Sequence, residues 1–240
     1  MIKIETHCHT IGTSKCADCE NEIMVKAYKD ANYGGIVVTN HMHPVFFEGY
    51  PGNDKKEKLD YFFGVFDKFK KDCEKQGLKA FLGMEVLATC PEGHAEYILY
   101  GFDRELIYNS ELLFKYTQKE LFEFADKNGI FMYKAHPFRT KEVLADPKYL
   151  HGAEIYNGHY HHNNNNDQAE EYCKKHNLIG LSGTDFHHPD QPVTAGICIP
   201  DDINDEMALT DYIRKNNFKI IADDELYKST YEKHIKGLVK

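Results

Sequence analysis

The sequence predicts an α/β protein whose strands form a parallel sheet, either open or closed into a barrel. Short apolar segments alternate with longer segments of helical periodicity, which is the pattern of repeated β–α units. The segment Gly35–Thr39, GIVVT, is continuously apolar, as expected of a strand covered on both faces. Five large apolar side chains lie on one stripe of the predicted helix Lys55–Gln76, as in a helix that packs on a sheet: Leu59, Phe62, Phe63, Phe66 and Phe69.

The first half of the chain alternates regularly between strands and helices. The segment Ile2–Glu5 alternates apolar and polar residues, which is typical of a strand. A long loop is predicted at His43–Asp54, with the sequence HPVFFEGYPGND. The other predicted strands of this half are Gly35–Thr39, Lys79–Val86 and Glu96–Phe102, and the predicted helices are Asn21–Asn32 and Lys55–Gln76.

The second half continues the same alternation. The predicted helix Ser110–Lys127 ends at Asn128-Gly129, a pair typical of a helix C-terminus. The run of four asparagines at 163–166 is interpreted as a loop and a helix N-cap. Strands are predicted at Ile130–Ala135, Ala153–Tyr156, Leu178–Ser182 and Phe218–Ile221, and helices at Asn165–Asn177 and Asn204–Asn216.

Charge, apolar content and cysteine number indicate which partners and which cellular compartment to expect. The formal net charge of −9 does not favour a broad basic surface for nucleic acid. No apolar run approaches the roughly 18 residues of a membrane span, and no signal peptide precedes the first strand, so we expect a cytoplasmic protein with no membrane partner. Seven cysteines are present, and the lone pair Cys16 and Cys19 lacks a second pair to complete a zinc site, which favours free thiols.

Residues that bind metals recur at the predicted strand ends. In an extended segment, residues two apart point to the same side, so His7 and His9 can hold one cation together. Asp185 and His187 have the same spacing, and a carboxylate such as Glu85 can bridge two metals. Imidazole with carboxylate suits Zn, Mn or Fe, and a pair of such metals can activate a water for phosphoryl transfer. The recurring residues are His7, His9, His41, Glu85, His136, Asp185 and His187, whereas His43, His151, His176 and His234 are interpreted as ordinary loop residues.

Five segments in order resemble the PHP (polymerase and histidinol phosphatase) superfamily: HCH at 7–9, TNH at 39–41, GMEV at 83–86, HPFR at 136–139 and GTDFHH at 183–188. The resemblance implies a single PHP-type barrel domain over residues 1–240. Its fold would be a distorted (β/α)7 TIM-like barrel, with two or three divalent ions (Zn, Mn or Fe) at the C-terminal ends of the strands. It further implies that His7, His9, Glu85 and Asp185 hold one metal, Glu85 and His136 a second, and His41 and His187 a third.

The chain departs from the family pattern at two positions. The family usually places an Asp or His a few residues after HxH, and here Asp18 is the best candidate, with Cys16 as another. The family also tends to have a His in the strand after the Glu, where this chain has Ile98. We expect one of three nearby residues to substitute at the second metal: His94, Glu96 or His159.

The expected function is metal-dependent hydrolysis of a phosphate ester by a metal-activated water. Arg139 is expected to bind phosphate, and His159, in the run HYHH at 159–162, to protonate the leaving group. The acidic charge favours a small phosphorylated metabolite or nucleotide, and a long nucleic acid is not expected as a partner. Two alternatives remain: an amidohydrolase-type enzyme that cleaves C–N bonds, and a non-catalytic metal-binding barrel. The sequence predicts no particular oligomeric state.

Overall fold

The computed structural model describes residues 1–90, 92–140 and 142–238. Ten strands and eight α-helices alternate along these residues. The strands are β1 (Ile2–Glu5), β2 (Tyr33–Val38), β3 (His41–Met42), β4 (Lys79–Cys90), β5 (Gly93–Tyr100), β6 (Phe131–Lys134), β7 (Gly152–Asn157), β8 (Ile179–Gly183), β9 (Ala195–Ile199) and β10 (Lys219–Ala222). The helices are α1 (Asn21–Asp30), α2 (Pro44–Glu48), α3 (Lys55–Lys75), α4 (Arg104–Asn109), α5 (Gln118–Lys127), α6 (Asn166–His176), α7 (Glu206–Arg214) and α8 (Asp224–Leu238).

Nine of the strands form a nearly closed, barrel-shaped sheet in the order β10-β9-β1-β2-β4-β5-β6-β7-β8, and β3 pairs beside β4. The predicted α/β barrel is therefore confirmed. The sheet is mixed rather than parallel throughout, because β5 is antiparallel to both β4 and β6, and β9 is antiparallel to both β1 and β10. β4 ends at Cys90 and β5 begins at Gly93, opposite Cys90, whereas a parallel pair would need a much longer connection.

Apolar side chains on the inner face of the sheet fill the barrel, and α7 closes one end of it. Ile4 of β1, Val37 of β2 and Ile98 of β5 belong to one buried cluster, which also contains Leu209 and Ile213 of α7. The other face of the sheet packs against the surrounding helices, where the predicted apolar stripe of α3 is fully buried. The functional residues consequently lie at the end of the barrel away from α7.

The structure corrects several predicted boundaries. The predicted helix Ser110–Lys127 is wrong over its first part, because Thr117 and Glu120 form a capping box that starts α5 at Gln118. The predicted loop His43–Asp54 contains the short helix α2, which Pro44 begins. Neither β9 nor the helices α4 and α8 were predicted from the sequence.

Candidate metal centre

The site-facing end of the barrel gathers the metal-ligand candidates from five separate strands. His7 and His9 follow β1, His136 follows β6, and Asp185 and His187 follow β8. His41 begins β3 and Glu85 lies within β4, directly opposite it in the sheet. His136 and Asp185 have positive φ angles of 29° and 52°, a backbone conformation that residues other than glycine adopt infrequently. These seven residues are all buried, and we call them the carboxylate–histidine cluster.

Glu85 lies at the centre of this cluster. Its Oε1 is 3.3 Å from Nε2 of His7 and 3.3 Å from Nε2 of His136. Its Oε2 is 2.8 Å from Nδ1 of His41 and 3.6 Å from Nε2 of His9. Each carboxylate oxygen therefore faces a different pair of imidazoles, which is the arrangement that a bridging ligand between two cations requires.

Asp185 completes the other side of the cluster. Its Oδ1 lies 3.2 Å from Nε2 of His7 and 3.1 Å from Nε2 of His9, and those two nitrogens are only 2.9 Å apart. Its other oxygen accepts a hydrogen bond from Nη2 of Arg139. The paired HxH nitrogens thus converge on one carboxylate oxygen, as the spacing in the sequence predicts.

The donor atoms of the cluster fit a bound cation better than they fit each other. Within the described residues, both oxygens of Glu85 and one ring nitrogen each of His9, His41 and His136 are buried without a hydrogen-bond partner. Buried polar groups are normally hydrogen-bonded, because an unpaired one costs about 1–3 kcal/mol. Of these atoms, the two oxygens of Glu85 and Nδ1 of His41 face each other inside the cluster, and the buried imidazoles and carboxylates around them could hold a divalent ion.

The charges of the cluster are strongly coupled. Burial alone raises the pKa of Glu85, but the imidazoles of His7 and His41 outweigh it and hold that pKa well below its usual range. Burial also raises the pKa of Asp185, and His7 and Arg139 together lower it well below the ordinary value. Both carboxylates are therefore ionised near neutral pH, which is the form that binds cations.

A buried carboxylate outside the predicted set, Glu154 in β7, holds the outer side of the cluster. Its Oε1 lies 3.1 Å from Nδ1 of His7. Its Oε2 accepts hydrogen bonds from the backbone N–H of His136 and from the side chain of Asn157, both at 2.9 Å. A carboxylate behind a ligating imidazole fixes the orientation of the ring and increases its basicity. In the sequence, Glu154 lies in a predicted strand, and nothing in that segment distinguishes it from a solvent-facing residue.

Glu5 was also missed, and it joins the two strand ends that carry most of the cluster. Its Oε1 accepts hydrogen bonds from the backbone N–H groups of Thr6, His7 and Thr184, at 2.7–2.9 Å. Its Oε2 accepts from the hydroxyls of Tyr28 and Thr184, both at 2.7 Å. Five donors on one fully buried carboxylate fix the backbone just before His7 and Asp185.

The structure brings Glu96, rather than His94, to the position beside the cluster. Oε2 of Glu96 lies 3.3 Å from Nε2 of His136, and its Oε1 lies 3.2 Å from Nε2 of His43. His94 is exposed, and Ile98 is buried opposite Glu85 in the sheet. Because β5 is antiparallel to β4, the first part of β5 lies at the site-facing end of the barrel.

His43 does not lie in an ordinary exposed loop, as the sequence analysis interpreted it. It is buried directly before α2, and its ring is 4.4 Å from that of His41. The segment His41-Met42-His43 is a second HxH motif on a short strand, so the reasoning used for His7 and His9 also applies to it. That spacing was the signal that could have identified His43.

Cys16 and Asp18, the two candidates for the family's position after HxH, lie in different surroundings. Cys16 lines the same cavity as His41 and His187, and these two imidazoles act on its thiol. Asp18 instead accepts a hydrogen bond from Nδ1 of His188 at 2.8 Å, and its carboxylate is mostly exposed. The geometry therefore favours Cys16 over Asp18 as a contributor to the cluster.

We expect Cys16 to be a selectively reactive thiol in the metal-free protein. Partial burial raises the pKa of Cys16, but hydrogen bonds from His187 and His41 outweigh it and lower the pKa to about 5. Alkylation by iodoacetamide, followed by mass spectrometry across a pH series, should show Cys16 labelled fully at pH values where an ordinary thiol is protonated. The matched control is Cys198, and equal labelling of both residues at low pH would contradict this expectation.

Arg139, the predicted phosphate ligand, is engaged by neighbouring side chains. Its Nη2 donates to Asp185 and, at 3.0 Å, to Asn157, while its Nε donates to Asn164 at 2.9 Å. Within the part of the chain that the structure describes, Nη1 has no hydrogen-bond partner, and it lies at the wall of the cavity, where a substrate oxygen could accept from it. The contacts give Arg139 a positioning role at Asp185, and phosphate binding stays a prediction.

A cavity of about 430 Å³ opens over the cluster. His159, His161, His162 and His188 line its rim, on the loops after β7 and β8. Burial is the main reason that the pKa of His159 lies well below its usual range, and His187 lowers it further. A ring held neutral in this way is a poor proton donor at neutral pH, so the predicted catalytic role of His159 gains no support from its surroundings.

Comparison with known proteins finds similarity in structure rather than in sequence. No family model matches the chain, and no curated protein matches it. A two-domain protein from Bacteroides vulgatus that contains a predicted PHP-like metal-dependent phosphoesterase is 17% identical, with a TM-score of 0.64 over 97% of this chain and 69% of that one. The chain has the PHP fold. The resemblance inferred from the sequence is thus confirmed at the level of the fold.

Two further solved structures are similar to this chain in fold. PsfC from Pseudomonas syringae is 14% identical, with a TM-score of 0.68 over 99% of this chain and 98% of that one. An Endonuclease Q, solved with a 27-mer duplex that carries an abasic lesion at the active site, is 15% identical with a TM-score of 0.58. The match covers 91% of this chain but only 58% of that chain.

The comparison corrects one prediction. A small phosphorylated substrate was expected and a long nucleic acid was not, yet a neighbour with the PHP fold is solved with duplex DNA at its active site. The expectation rested on the net charge of −9, which averages over the whole surface. Cations bound in one cavity can attract phosphates whatever the total charge is, so net charge was a poor guide.

Among the described helices, none has the length and apolar character needed to cross a membrane.

Proposed function

We propose that this protein is a metal-dependent phosphoesterase whose site is the carboxylate–histidine cluster. The observation that carries the proposal is the placement of Glu85, whose two oxygens each face a separate pair of imidazoles without a hydrogen bond. The likeness to PHP-like metal-dependent phosphoesterases supports the same reaction class. The ligand set proposed is that inferred from the sequence, with His43, Glu96 and Cys16 added and Asp18 removed.

Divalent ions bound in the cluster would lower the pKa of a water and neutralise charge on a phosphoryl group. The protein's own groups supply position. Glu5 and Glu154 fix the strand ends and the ring of His7, and Arg139 holds Asp185 while presenting two free N–H groups. The cavity over the cluster is open at its rim, so an extended substrate can enter with only its reacting phosphate inside.

We further propose a phosphodiester of nucleic acid as the substrate class. The support is the likeness to the Endonuclease Q solved with duplex DNA. The charge of the rest of the surface is unfavourable for long polyanions, so binding should depend on the cations in the site and on Lys15 and Arg139 around the cavity. The expected affinity for undamaged DNA in the absence of metal is therefore low.

The decisive experiment offers the chain phosphodiesters with and without metal. Protein freed of metal should show turnover at least about 10²-fold below that of protein reloaded with Mn²⁺ or Zn²⁺. The substrates are a duplex with one abasic site, the same undamaged duplex, a single strand and a bis-aryl phosphate. Gel electrophoresis follows cleavage of the oligonucleotides, and absorbance follows release of the aryl alcohol.

Each outcome separates the proposal from its alternatives. If the metal-loaded protein cleaves no phosphodiester but hydrolyses amides, the amidohydrolase interpretation is correct. If it binds metal tightly and hydrolyses neither class, the non-catalytic barrel is correct. Among the described residues, the buried Lys134 pairs with Glu142 at 2.8 Å and is therefore not placed as the bridging lysine of an amidohydrolase.

A further inference from the structure

We propose a separate metal site at the rim of the cavity, formed by His159, His161 and His188. One ligand nitrogen from each of these three residues lies within 4.8 Å of the other two. Such a triangle of imidazoles has the composition of a three-histidine site that keeps an open fourth position. We call it the rim site, and it shares no ligand with the carboxylate–histidine cluster.

The rings of His159, His161 and His188 lie close to one another. Their centroids are 5.2 Å apart for His159 and His161, 4.6 Å for His161 and His188, and 5.8 Å for His159 and His188. This spacing brings one nitrogen of each ring within reach of a shared point, and imidazole nitrogens suit ions of the Zn²⁺ and Co²⁺ type.

Neighbouring side chains fix the rings of His188 and His161 on the side away from the proposed ion. Nδ1 of His188 donates to the carboxylate of Asp18 at 2.8 Å, which leaves Nε2 as its ligand atom. The ring of His161 stacks on that of His234 in α8, with the centroids 4.1 Å apart and the planes 23° apart. A carboxylate bound to the far nitrogen of an imidazole is the usual support of a metal-binding histidine.

Binding would have one identifiable cost at His159. The backbone N–H of His161 donates to Nδ1 of His159 at 3.3 Å, a long contact that coordination by this ring would give up. His159 is otherwise well placed, because it is buried where the rim meets the cluster, with its ring 5.1 Å from that of His187. An ion in the rim site would add positive charge at the cavity mouth, where further phosphates of an extended substrate would pass.

The test counts metal ions and does not depend on turnover. The full chain is freed of metal, dialysed against Zn²⁺ and analysed by elemental mass spectrometry. His161→Ala should bind one equivalent fewer than the wild type, and the control His176→Ala, which alters an exposed histidine on α6, should bind the same number as the wild type. Titration with Co²⁺ should show the matching loss of one absorbing species. Equal counts in His161→Ala and the wild type would overturn the proposal.

A second variant covers the case in which His161→Ala fails to fold. Asp18→Asn changes an exposed side chain that contacts Nδ1 of His188. It should weaken binding of the last Zn²⁺ equivalent by about 10–100-fold and leave the affinities of the other equivalents unchanged. Unchanged affinities in Asp18→Asn and unchanged counts in His188→Ala would also overturn the rim site. Either result would leave the count at the carboxylate–histidine cluster intact, so failure here is distinguishable from failure of the proposed function.

Discussion

Glu85→Gln should remove metal binding at the centre of the cluster and lower phosphodiester turnover by at least about 10³-fold. The substitution keeps the size of the side chain but replaces a carboxylate with a neutral amide between four imidazoles. An amide has only one oxygen, so it cannot offer a ligand atom to each of two cations. We would measure the bound metal by elemental mass spectrometry and the turnover on the bis-aryl phosphate.

The control for this prediction is Glu74→Gln, a neutral replacement on the exposed side of α3. It should retain the metal count and the activity of the wild type. Loss of activity in Glu85→Gln with a full metal count would assign Glu85 a role other than bridging. Full activity in Glu85→Gln would place the reaction outside the cluster.

Glu5→Gln should destabilise the metal-free protein by about 2–4 kcal/mol. The amide group would place its own N–H donors against at least one of the N–H and O–H donors that Glu5 now accepts. Burial raises the pKa of Glu5 to about 7, so the measurement belongs near pH 8, where the wild-type carboxylate is ionised. For a chain of this size, the loss corresponds to a decrease in Tm of about 4–16 °C.

Metal-free protein is essential for that experiment, because bound metal would stabilise the native state and conceal the effect. Glu171→Gln, on the exposed side of α6, is the matched control and should leave Tm within about 1 °C of the wild type. Reloading Glu5→Gln with Zn²⁺ should show weaker binding as well, since Glu5 fixes the backbone ahead of His7 and Asp185. A Tm equal to that of the wild type would show that the five hydrogen bonds contribute no net stability.

The parts of the fold and site that the sequence predicted are those with a local periodic signal. The apolar stripe of α3 and the continuous apolar run of β2 need no knowledge of the rest of the chain. The HxH and DxH pairs follow from the alternation of extended backbone, so His7, His9 and Asp185 were found correctly as neighbours in space. The C-terminal ends of parallel strands lie at one end of the barrel, so the remaining candidates were expected there as well.

The features that were missed depend on contacts between distant segments. Glu154 and Glu5 are polar residues within strands, and nothing local distinguishes a buried carboxylate from a solvent-facing one. Glu96 was one of three candidates, and the sequence could not select it over His94 because the choice depends on β5 being antiparallel to β4. β9 was overlooked because its segment, AGICI, is short and follows a loop with no helix before it.

Hydrogen bonds near β1 join segments that are far apart in the sequence, and this separation affects folding. Glu5 bonds to Thr184, 179 residues away, and the hydroxyl of Thr6 bonds to the carbonyl of Ser182, 176 residues away. Interactions that join such distant segments slow the folding of a domain, because a long loop must close before they can form. His7 and His9 can contact Asp185 only after that loop has closed. Uptake of metal in the cluster should consequently be the last step of folding, and its rate would report completion of the whole barrel.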